Sequence, residues 1–422
     1  MDISDLADLD IAEKAALKGL CNHCLGRQFA KLGHGMTNEE RGFYLRNALV
    51  AHVKDKKVKP SAIKEPEECW LCENIFKELE KLSDLVVKKL QSYNYDSFLI
   101  GSKIDADIVD REERLWGELR NEHYEPIKAE INREIGKLVE AKVEKKVNFD
   151  KPDIVAVIDT RFDNVELQIS PLYIFGRYRK LIRGIPQTRW DCKECWGKGC
   201  EKCNYTGKMY ETSVEELVAK EVMDASKGAE HSFHGMGRED IDARMLGNGR
   251  PFVLEIKLPI RRQLDLKKLE ELINSYSKGK VEVFNLRPSS KDEVIAIKNA
   301  KVMKTYSVEV EFDKPIKDKK LKEVVRAFKD KTIEQKTPKR VMHRRADKVR
   351  KRSVVDIGIE VIDKKEAVFR ITGESGIYVK ELIHGDEGRT QPCIADYLNR
   401  KCIIKSLDVT HIHDENGGKY KW

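Results

Sequence analysis

The sequence predicts an α+β protein with two or three domains, in which a mixed sheet carries helices on its faces. Length supports several domains, because 422 residues exceed the about 250–300 that a single core usually supports. The order of the elements supports a mixed sheet, because many strand-like segments directly follow another one. Composition agrees, since 40% apolar residues are enough for ordinary globular packing.

The N-terminal region combines helical patterns with loops. The segment 10–13 reads Asp-x-x-Glu, which has the form of a capping box and predicts the start of a short helix. After residue 24 a loop-rich stretch is expected to about residue 68. Apolar residues between Ile75 and Leu90 recur at helical spacing, and the charged stretch 110–145 predicts one long helix or two.

Strand and helix patterns continue through the rest of the chain without a regular alternation. The expected helices lie near 213–226, 264–276 and 319–329. The expected strands lie near 97–100, 154–158, 165–169, 251–258, 279–285, 306–312, 353–362 and 366–372.

The balance of charged residues indicates which classes of partner the surface can attract. The chain has 80 Lys and Arg against 72 Asp and Glu, a net charge of +8. If clustered, this modest excess suits a polyanion such as RNA; if dispersed, it is a solvated surface rich in ion pairs. No apolar run is long enough to span a membrane and no secretory signal is recognisable. We therefore expect a cytoplasmic protein without membrane contact, and by default a monomer.

Eight of the ten cysteines form four Cys-x-x-Cys pairs, a spacing that aims two thiolates at one point. In a long chain without a secretory signal such pairs favour metal over disulfides. We expect one or two structural Zn²⁺ ions; unrelated buried cysteine pairs are the alternative. The expected ligands are Cys21, Cys24, Cys69 and Cys72 in the first site, and Cys192, Cys195, Cys200 and Cys203 in the second.

Cations are dense in two segments, 173–183, where aromatic residues lie between them, and 336–352. Cations contact phosphates and aromatic rings stack on exposed bases, so together the segments favour an RNA-binding surface. Each segment alone is equally compatible with an ordinary solvated face. The expected RNA contacts are Arg177, Arg179, Lys180, Arg340, His343, Arg344 and Arg345.

The stretch 233–252 is rich in glycine and carries Glu239, Asp240 and Asp242, which predicts a shaped loop with a carboxylate in a candidate site. The residue types alone do not say which reaction it performs. We find no Walker-type phosphate loop, no His-Glu-x-x-His motif and no convincing dinucleotide fingerprint in the sequence, so no nucleotide or redox cofactor is expected.

The segment Gly237-Arg-Glu-Asp240 resembles the Gly-Arg-Thr-Asp motif of pseudouridine synthases. The longer glycine-rich string resembles the tRNA pseudouridine synthase family called "ten", which occurs in archaea and eukaryotes. Further segments agree along nearly the whole chain: Cys-x-x-Cys-Leu-Gly-Arg at 21–27, Gly-Arg-Tyr-Arg-Lys at 176–180, Arg-Val-x-His-Arg-Arg-Ala-Asp at 340–347, and the string at 373–390.

This resemblance implies a domain organisation and a substrate. Residues 1–188 would form a zinc-bearing, THUMP-containing RNA-binding domain, with the second cysteine group as a junction at 189–210. Residues 211–422 would form the catalytic domain, with a mixed, largely antiparallel sheet flanked by helices. The expected reaction is isomerisation of uridine 55, and also uridine 54, in the T arm of tRNA.

The resemblance also assigns roles to single residues. Asp240 is the expected nucleophile toward a flipped-out uridine, and Tyr306 the residue that stacks on its base. Arg238 and Tyr378 are expected to contact substrate, and Lys380 replaces an arginine that keeps the nucleophile ionised. The sequence departs from the motif where Glu239 replaces threonine, and Asp242 adds a second aspartate, which we expect to be structural and to pair with an arginine.

Two other functions fit part of the sequence. Another THUMP-bearing tRNA modifier, such as a methyltransferase or a thiouridine synthetase, would need a cofactor or ATP motif that we do not find. A non-catalytic zinc-bearing RNA-binding protein explains the cysteines and the cations, but not the glycine-rich carboxylate loop followed by both tyrosine segments.

Overall fold

The computed structural model describes residues 3, 7–54, 56, 58–414 and 422, with the backbone but not the side chain of Arg344. These residues divide into two compact units, Met1–Ser170 and Pro171–Trp422. The first unit encloses one apolar core and the second encloses two. Every helix of the described residues is too short or too polar to cross a membrane.

The first unit combines helices with a four-stranded sheet. The helices are α1 (Leu9–Leu17), α2 (Asn22–Gly26), α3 (Asn38–His52), α4 (Leu79–Leu90), α5 (Ala106–Leu119) and α6 (Ile127–Val143), and the strands are β1 (Ser97–Lys103), β2 (Lys146–Val147), β3 (Ile154–Asp159) and β4 (Asn164–Ile169). The strand order is β2-β1-β3-β4, with β1 parallel to both neighbours and β4 antiparallel to β3. Alternate residues of β3 are buried, so Ile154, Ala156 and Ile158 enter the core.

Helix α1 begins earlier than the predicted capping box. The carboxylate of Asp8 accepts hydrogen bonds from the backbone N–H groups of Asp10 and Ile11 at 2.9 and 3.2 Å. Asp8 is therefore the N-cap, two residues before the predicted one. The charged stretch 110–145, for which one helix or two were expected, contains the separate helices α5 and α6.

The stretch predicted as loop to residue 68 contains helix α3, so this prediction is wrong. The helix begins at a capping box formed by Thr37 and Glu40. Its apolar pattern is weak because it buries Arg41 and Arg46, whose guanidinium groups donate to backbone carbonyls and to an asparagine. A helix that buries arginines in this way has no clear apolar face in its sequence.

The second unit is built on one ten-stranded sheet. Its strands are β5 (Leu172–Lys180), β6 (Glu230–Gly235), β7 (Ala243–Lys257), β8 (Val281–Pro288), β9 (Met303–Phe312), β10 (Lys331–Lys336), β11 (Val349–Val361), β12 (Glu366–Gly373), β13 (Thr390–Gln391) and β14 (Cys402–His413). Its helices are α7 (Val214–Ser226), α8 (Leu266–Tyr276), α9 (Lys291–Asn299), α10 (Asp318–Phe328), α11 (Val379–His384) and α12 (Ile394–Leu398).

The order in this sheet is β13-β10-β11-β12-β9-β14-β7-β5-β8, and β6 pairs with β7. Strands β7 and β14 are parallel, and the other neighbouring pairs of described strands are antiparallel. This confirms the predicted mixed, largely antiparallel sheet with helices.

The division at 170/171 lies earlier than the predicted boundary at 188, which needs correction. Strand β5 is paired on one edge with β7 and on the other with β8, so it belongs to the second sheet. The predicted boundary followed from taking the second cysteine group as the junction, which left β5 in the first domain. The second cysteine group, predicted as a junction, likewise lies within the second unit.

The candidate site lies where β7 begins beside β14. The loop 236–242 leads into β7, whose residues 249–254 are all buried. Strand β9 and the start of α11 supply further side chains to the same cavity. Strand β7 is hydrogen-bonded to neighbours on both edges, so the loop ends at a rigid strand.

Candidate active site and metal centres

Buried charges hold the loop that carries Asp240. The side chain of Glu239 is buried and accepts hydrogen bonds from the Tyr178 hydroxyl, at 2.9 and 3.0 Å, and from Arg250 Nε at 2.9 Å. Arg250 also donates from Nη1 to the carbonyl of Met236 at 2.6 Å. A buried carboxylate with three such contacts is well satisfied, so it anchors the loop rather than reacting.

Lys180 supports the same loop from strand β5. Its ammonium group is fully buried and donates to the carbonyls of Ile185 and Asp240, both at 3.0 Å, and of Ile241 at 3.2 Å. It also lies 3.9 Å from a carboxylate oxygen of Glu239. The backbone of Asp240 is therefore positioned by a cation that has no access to solvent.

The Asp240 carboxylate lies between two cations. Arg340 Nη1 is 3.0 Å from its Oδ1 and 2.9 Å from its Oδ2, and Lys380 Nζ is 3.5 Å from Oδ2. Arg340 is oriented by the buried carboxylate of Glu381, which accepts from its Nε at 2.8 Å. Burial raises the pKa of Asp240, but the charges of Arg340 and Lys380 outweigh it and leave the pKa below its usual value. Asp240 is thus an ionised carboxylate at neutral pH.

Lys380 lies closest to the second aspartate. Its Nζ donates to both carboxylate oxygens of Asp242, at 2.8 and 2.7 Å, and reaches Asp240 only at 3.5 Å. The expected arginine partner of Asp242 is therefore a lysine. Lys380 was expected to be the cation that contacts Asp240. Arg340 contacts Asp240 at a shorter distance than Lys380 does.

A cavity of about 150 Å³ opens beside Asp240. Its lining includes Tyr306 on β9, Tyr378 at the start of α11, and Arg238. Burial raises the pKa of Tyr306 to about 12, so its hydroxyl stays protonated. The Tyr378 hydroxyl accepts from Arg345 Nη1 at 3.0 Å, and the guanidinium of Arg238 lies 5.6 Å from the ring of Trp190. The predicted substrate residues therefore gather around one cavity.

Each predicted cysteine group brings four thiols close enough together to hold one metal ion. In a tetrahedron with Zn–S bonds of about 2.3 Å, the sulfurs are about 3.8 Å apart. Cys21 and Cys72 Sγ are 3.7 Å apart in the first group. The pairs in the second group, 192–200, 195–203 and 200–203, are 3.9, 3.8 and 3.7 Å apart. Both groups of four could hold a metal ion, and their spacing fits zinc.

Comparison with known proteins decides the family. A family model described as "Pus10, C-terminal" matches residues 173–413, and one described as "Pus10 THUMP domain, archaeal" matches residues 82–159. The chain belongs to the Pus10 family. This confirms the resemblance inferred from the motifs, and it places the THUMP domain in the first unit.

Relatives with known names agree over nearly the full length. A tRNA pseudouridine synthase Pus10 of Methanocaldococcus jannaschii is 45% identical, over 94% of this chain and 92% of the relative. The protein of the same name from Methanothrix thermoacetophila is 42% identical, over 93% and 91%. The one from Pyrococcus furiosus is 40% identical, over 94% and 96%. The family is one of tRNA pseudouridine synthases, and the chain is an enzyme of this class.

Among the cations predicted to bind RNA, those of β5 face the protein interior. Arg177 is buried, pairs with Asp414 at 2.9 Å and donates to the carbonyls of Asn248 and Gly249. Lys180 is buried as described above. The prediction that Arg177 and Lys180 bind RNA is therefore wrong, because neither has a free donor at the surface. Arg179 is half-buried and donates to Glu282 and to the carbonyl of Gly247.

The second basic segment keeps most of its cations outside. His343 and Arg345 are exposed, and so are Lys348 and Lys351 beyond them. Arg340 is exposed as well, but its guanidinium contacts the carboxylates of Asp240 and Glu381. The side chain of Arg344 lies outside the described part of the structure.

Sequence reasoning missed several residues of the site: Tyr178, Arg250, Lys304 and Glu381. Lys304 could have been found, because it is two residues before Tyr306 in a strand and so shares its face. Arg250 and Glu381 have no such signal. Arg250 forms a buried ion pair with Glu239, a residue to which the sequence assigned no role. Glu381 pairs with Arg340, which is distant in the sequence.

Proposed function

We propose that this enzyme converts uridine 55, and also uridine 54, of the tRNA T arm to pseudouridine, with Asp240 as the nucleophile. The observation that carries the proposal is the Asp240 carboxylate, which two cations keep ionised at a cavity lined by Tyr306 and Tyr378. An ionised, partly buried carboxylate beside a base-sized cavity is suited to covalent attack on a bound nucleotide.

The target base must leave its stack to reach Asp240. Extrusion costs a few kcal/mol, which contacts elsewhere in the complex have to offset. Stacking of the flipped uracil on Tyr306 would supply about 1–3 kcal/mol. The raised pKa of Tyr306 keeps its ring neutral, so the face of the ring can pack on the base without bringing a second negative charge next to Asp240.

The reaction conserves all atoms. Asp240 attacks either ribose C1′ or base C6. The glycosidic bond breaks, the uracil turns in the cavity, and C5 bonds to C1′ while the carboxylate is released. Finally the hydrogen on C5 leaves as a proton and N1 gains one. This chemistry requires neither a nucleotide nor a redox cofactor.

The exposed basic side chains of the second basic segment are the proposed phosphate contacts. His343, Arg345, Lys348 and Lys351 lie in the same segment as Arg340, which contacts Asp240. Contacts between these residues and phosphates would place the RNA backbone near the cavity entrance. Phosphate contacts position a nucleic acid without reading its sequence.

Each cysteine group is proposed to hold a structural Zn²⁺ through Cys21, Cys24, Cys69 and Cys72, or through Cys192, Cys195, Cys200 and Cys203. Zinc would tie together distant loops in the first group and one short knuckle pair in the second. Thiolates must be reduced to bind zinc, so we propose a cytoplasmic location. Two zinc ions per purified chain, falling to one in Cys24→Ser, is the expected metal content.

The test of the reaction uses unmodified tRNA transcript, no added cofactor and carbodiimide mapping of pseudouridine. We expect signal at positions 54 and 55, with each signal lost when that uridine alone is replaced by cytidine. Signal elsewhere in the tRNA would contradict the proposed position. Tight tRNA binding without any signal would instead favour a non-catalytic RNA-binding role. A change of RNA mass would indicate methylation or thiolation, because isomerisation leaves the mass unchanged.

A further inference from the structure

Lys304 is an amine in the Asp240 cavity that the reaction as described does not use. It lies on β9, lines the cavity, and shares a strand face with Tyr306. Its Nζ lies against the nucleophile loop, because a Cβ added to Gly237 would be 3.1 Å from it. Within the described part of the chain, the side-chain amine of Lys304 forms no hydrogen bond and no ion pair.

The surroundings of Lys304 disfavour its charged form. Burial and the nearby charge of Arg250 lower its pKa to about 7, although Glu239 acts in the opposite direction. Its partners across the neighbouring strands are Gly373 on β12 and Ile412 on β14, which carry no charge. Next to Ile412, His413 uses its Nε2 for a hydrogen bond with Thr305 Oγ1. The titratable groups that face the amine are thus Arg250, Glu239 and the cavity residues.

Pseudouridine formation needs a proton acceptor once C5 has joined C1′. The guanidinium groups in the cavity are hydrogen-bond donors without an acceptor atom, so they cannot take it; they belong to Arg238, Arg250, Arg340 and Arg345. Lys380 donates to Asp242, and Tyr306 holds its proton with a pKa of about 12. Glu239 is occupied by Tyr178 and Arg250. The released Asp240 carboxylate is a weak base, because Arg340 and Lys380 hold its pKa below the usual value. Lys304 is the amine that remains among the described residues of the cavity.

We propose that Lys304, as a neutral amine, takes the proton from C5 of the rearranged uracil. The nitrogen lone pair bonds the proton, and the C5–H electron pair forms the C5=C6 double bond. The electron pair of the C6=N1 bond moves to N1, which takes a proton from water or from the Lys304 ammonium. No atom is gained or lost, and no oxidant or further reactant is needed. This inference rests on the proposed reaction at Asp240.

The test compares Lys304→Met with Lys301→Met, an exposed lysine just before the same strand. The substrates are tRNA transcripts with uridine, with uridine deuterated at C5, and with 5-fluorouridine. Fluorine cannot leave C5 as a cation, so the 5-fluoro substrate cannot undergo the proton-removal step. It therefore reports only the steps up to C5–C1′ bond formation, for which Lys304 is not needed. Rates are measured in single-turnover experiments.

For Lys304→Met we expect uridine turnover to fall about 10²- to 10⁴-fold, the usual contribution of a general base. Deuterium at C5 should slow the variant further, because removal of this proton has become the slow step. Rearrangement of 5-fluorouridine and tRNA affinity should stay at the wild-type level. The wild-type rate of this step should decrease as the pH falls below about 7, because the amine then becomes protonated.

Loss of 5-fluorouridine rearrangement together with uridine turnover would overturn the assignment, because it would show a structural or binding role. A fall in turnover without an isotope effect would overturn it as well. Lys304→Gln, which keeps a polar side chain in the cavity, repeats the measurement if the methionine variant does not fold. A failure of the proposed function looks different: Asp240→Asn would still rearrange 5-fluorouridine, whatever Lys304 does.

Discussion

The two basic segments of the second unit look alike in sequence and differ in structure. In β5, Arg177 and Lys180 are buried and use their donors on protein carbonyls and on Asp414. In the segment 336–352, the exposed cations include Arg345 and Lys348. The difference follows from the sheet, because β5 has hydrogen-bonded neighbours on both edges and its side chains pack inside.

This difference shows that a dense run of cations can be assigned a role only when the burial of each side chain is known. A buried cation has to be satisfied by nearby acceptors, so it fixes the backbone that supplies them. In this enzyme the fixed backbone includes Asp240. An exposed cation keeps its donors available for a polyanion. The following predictions test this contrast, beginning with the largest expected effect.

Lys180→Met should lower the free energy of unfolding by about 3–5 kcal/mol, the usual cost of removing one partner from a buried charge pair. The three carbonyls that Lys180 bonds would lose their donor, and Glu239 would lose a cation 3.9 Å away. Urea denaturation measures the change. The matched variant Lys348→Met removes an exposed lysine and should change stability by less than about 0.5 kcal/mol. Equal effects in the two variants would contradict the contrast.

Arg340→Gln should lower kcat/KM on the order of 10²-fold, as expected when a charge partner of a reacting group is removed. Burial raises the pKa of Asp240 and Arg340 opposes it, so the variant should have a higher Asp240 pKa. Activity should therefore be lost at a higher pH than in the wild type as the solution is acidified. The pH–rate profile of kcat/KM shows this shift.

The double variant Arg340→Gln/Glu381→Gln controls for the buried carboxylate that Arg340 leaves unpaired. Its acid limb should move like that of the single variant. Arg345→Gln, which removes an exposed arginine near the same cavity, should leave the acid limb in place. An unmoved limb in Arg340→Gln would mean that Arg340 does not set the ionisation of Asp240.

Tyr306→Leu should lower kcat/KM about 5- to 150-fold, because it removes base stacking that contributes about 1–3 kcal/mol. Tyr306→Phe keeps the ring and should stay close to the wild type, because the hydroxyl remains protonated and takes no proton in the proposed reaction. Steady-state kinetics with tRNA transcripts separates the two. A loss in the phenylalanine variant as large as in the leucine variant would assign the role to the hydroxyl instead.

The smallest effect is expected at the exposed cations. Lys348→Gln and Lys351→Gln should each weaken tRNA binding slightly and lower the salt dependence of log Kd by about one charge. Arg179→Gln in β5 should leave this slope unchanged, because its guanidinium is bound to Glu282 and to the carbonyl of Gly247. Titrations at several salt concentrations provide the slopes. An unchanged slope in both lysine variants would place the RNA on another surface.

Patterns with a regular period predicted most of the fold. Apolar spacing was enough to find α4 and α7, and alternation was enough to find β3 and β9. Helix α3 was missed because it buries arginines and has no clear apolar face. The boundary was placed too late because the second cysteine group was interpreted as the junction, and pairing between distant strands cannot be read from local sequence.

The candidate site was predictable where a motif carried it. Asp240 and Tyr306 were placed by the resemblance and line one cavity in the structure. The partner of the carboxylate was not predictable, because Arg340 is 100 residues away from Asp240 in sequence. Lys180 and Glu239 form part of a buried network whose charges compensate each other only in the folded chain.

The most direct test of the account replaces the nucleophile itself. Asp240→Asn keeps the size of the side chain and removes its charge, and Asp242→Asn does the same two residues later, where the carboxylate is exposed and bound to Lys380. Single-turnover conversion and tRNA affinity are measured for both variants. We expect no conversion by Asp240→Asn at wild-type tRNA affinity, and at most a moderate loss in Asp242→Asn. Conversion by Asp240→Asn at a rate near that of the wild type would contradict the assignment of Asp240 as the nucleophile.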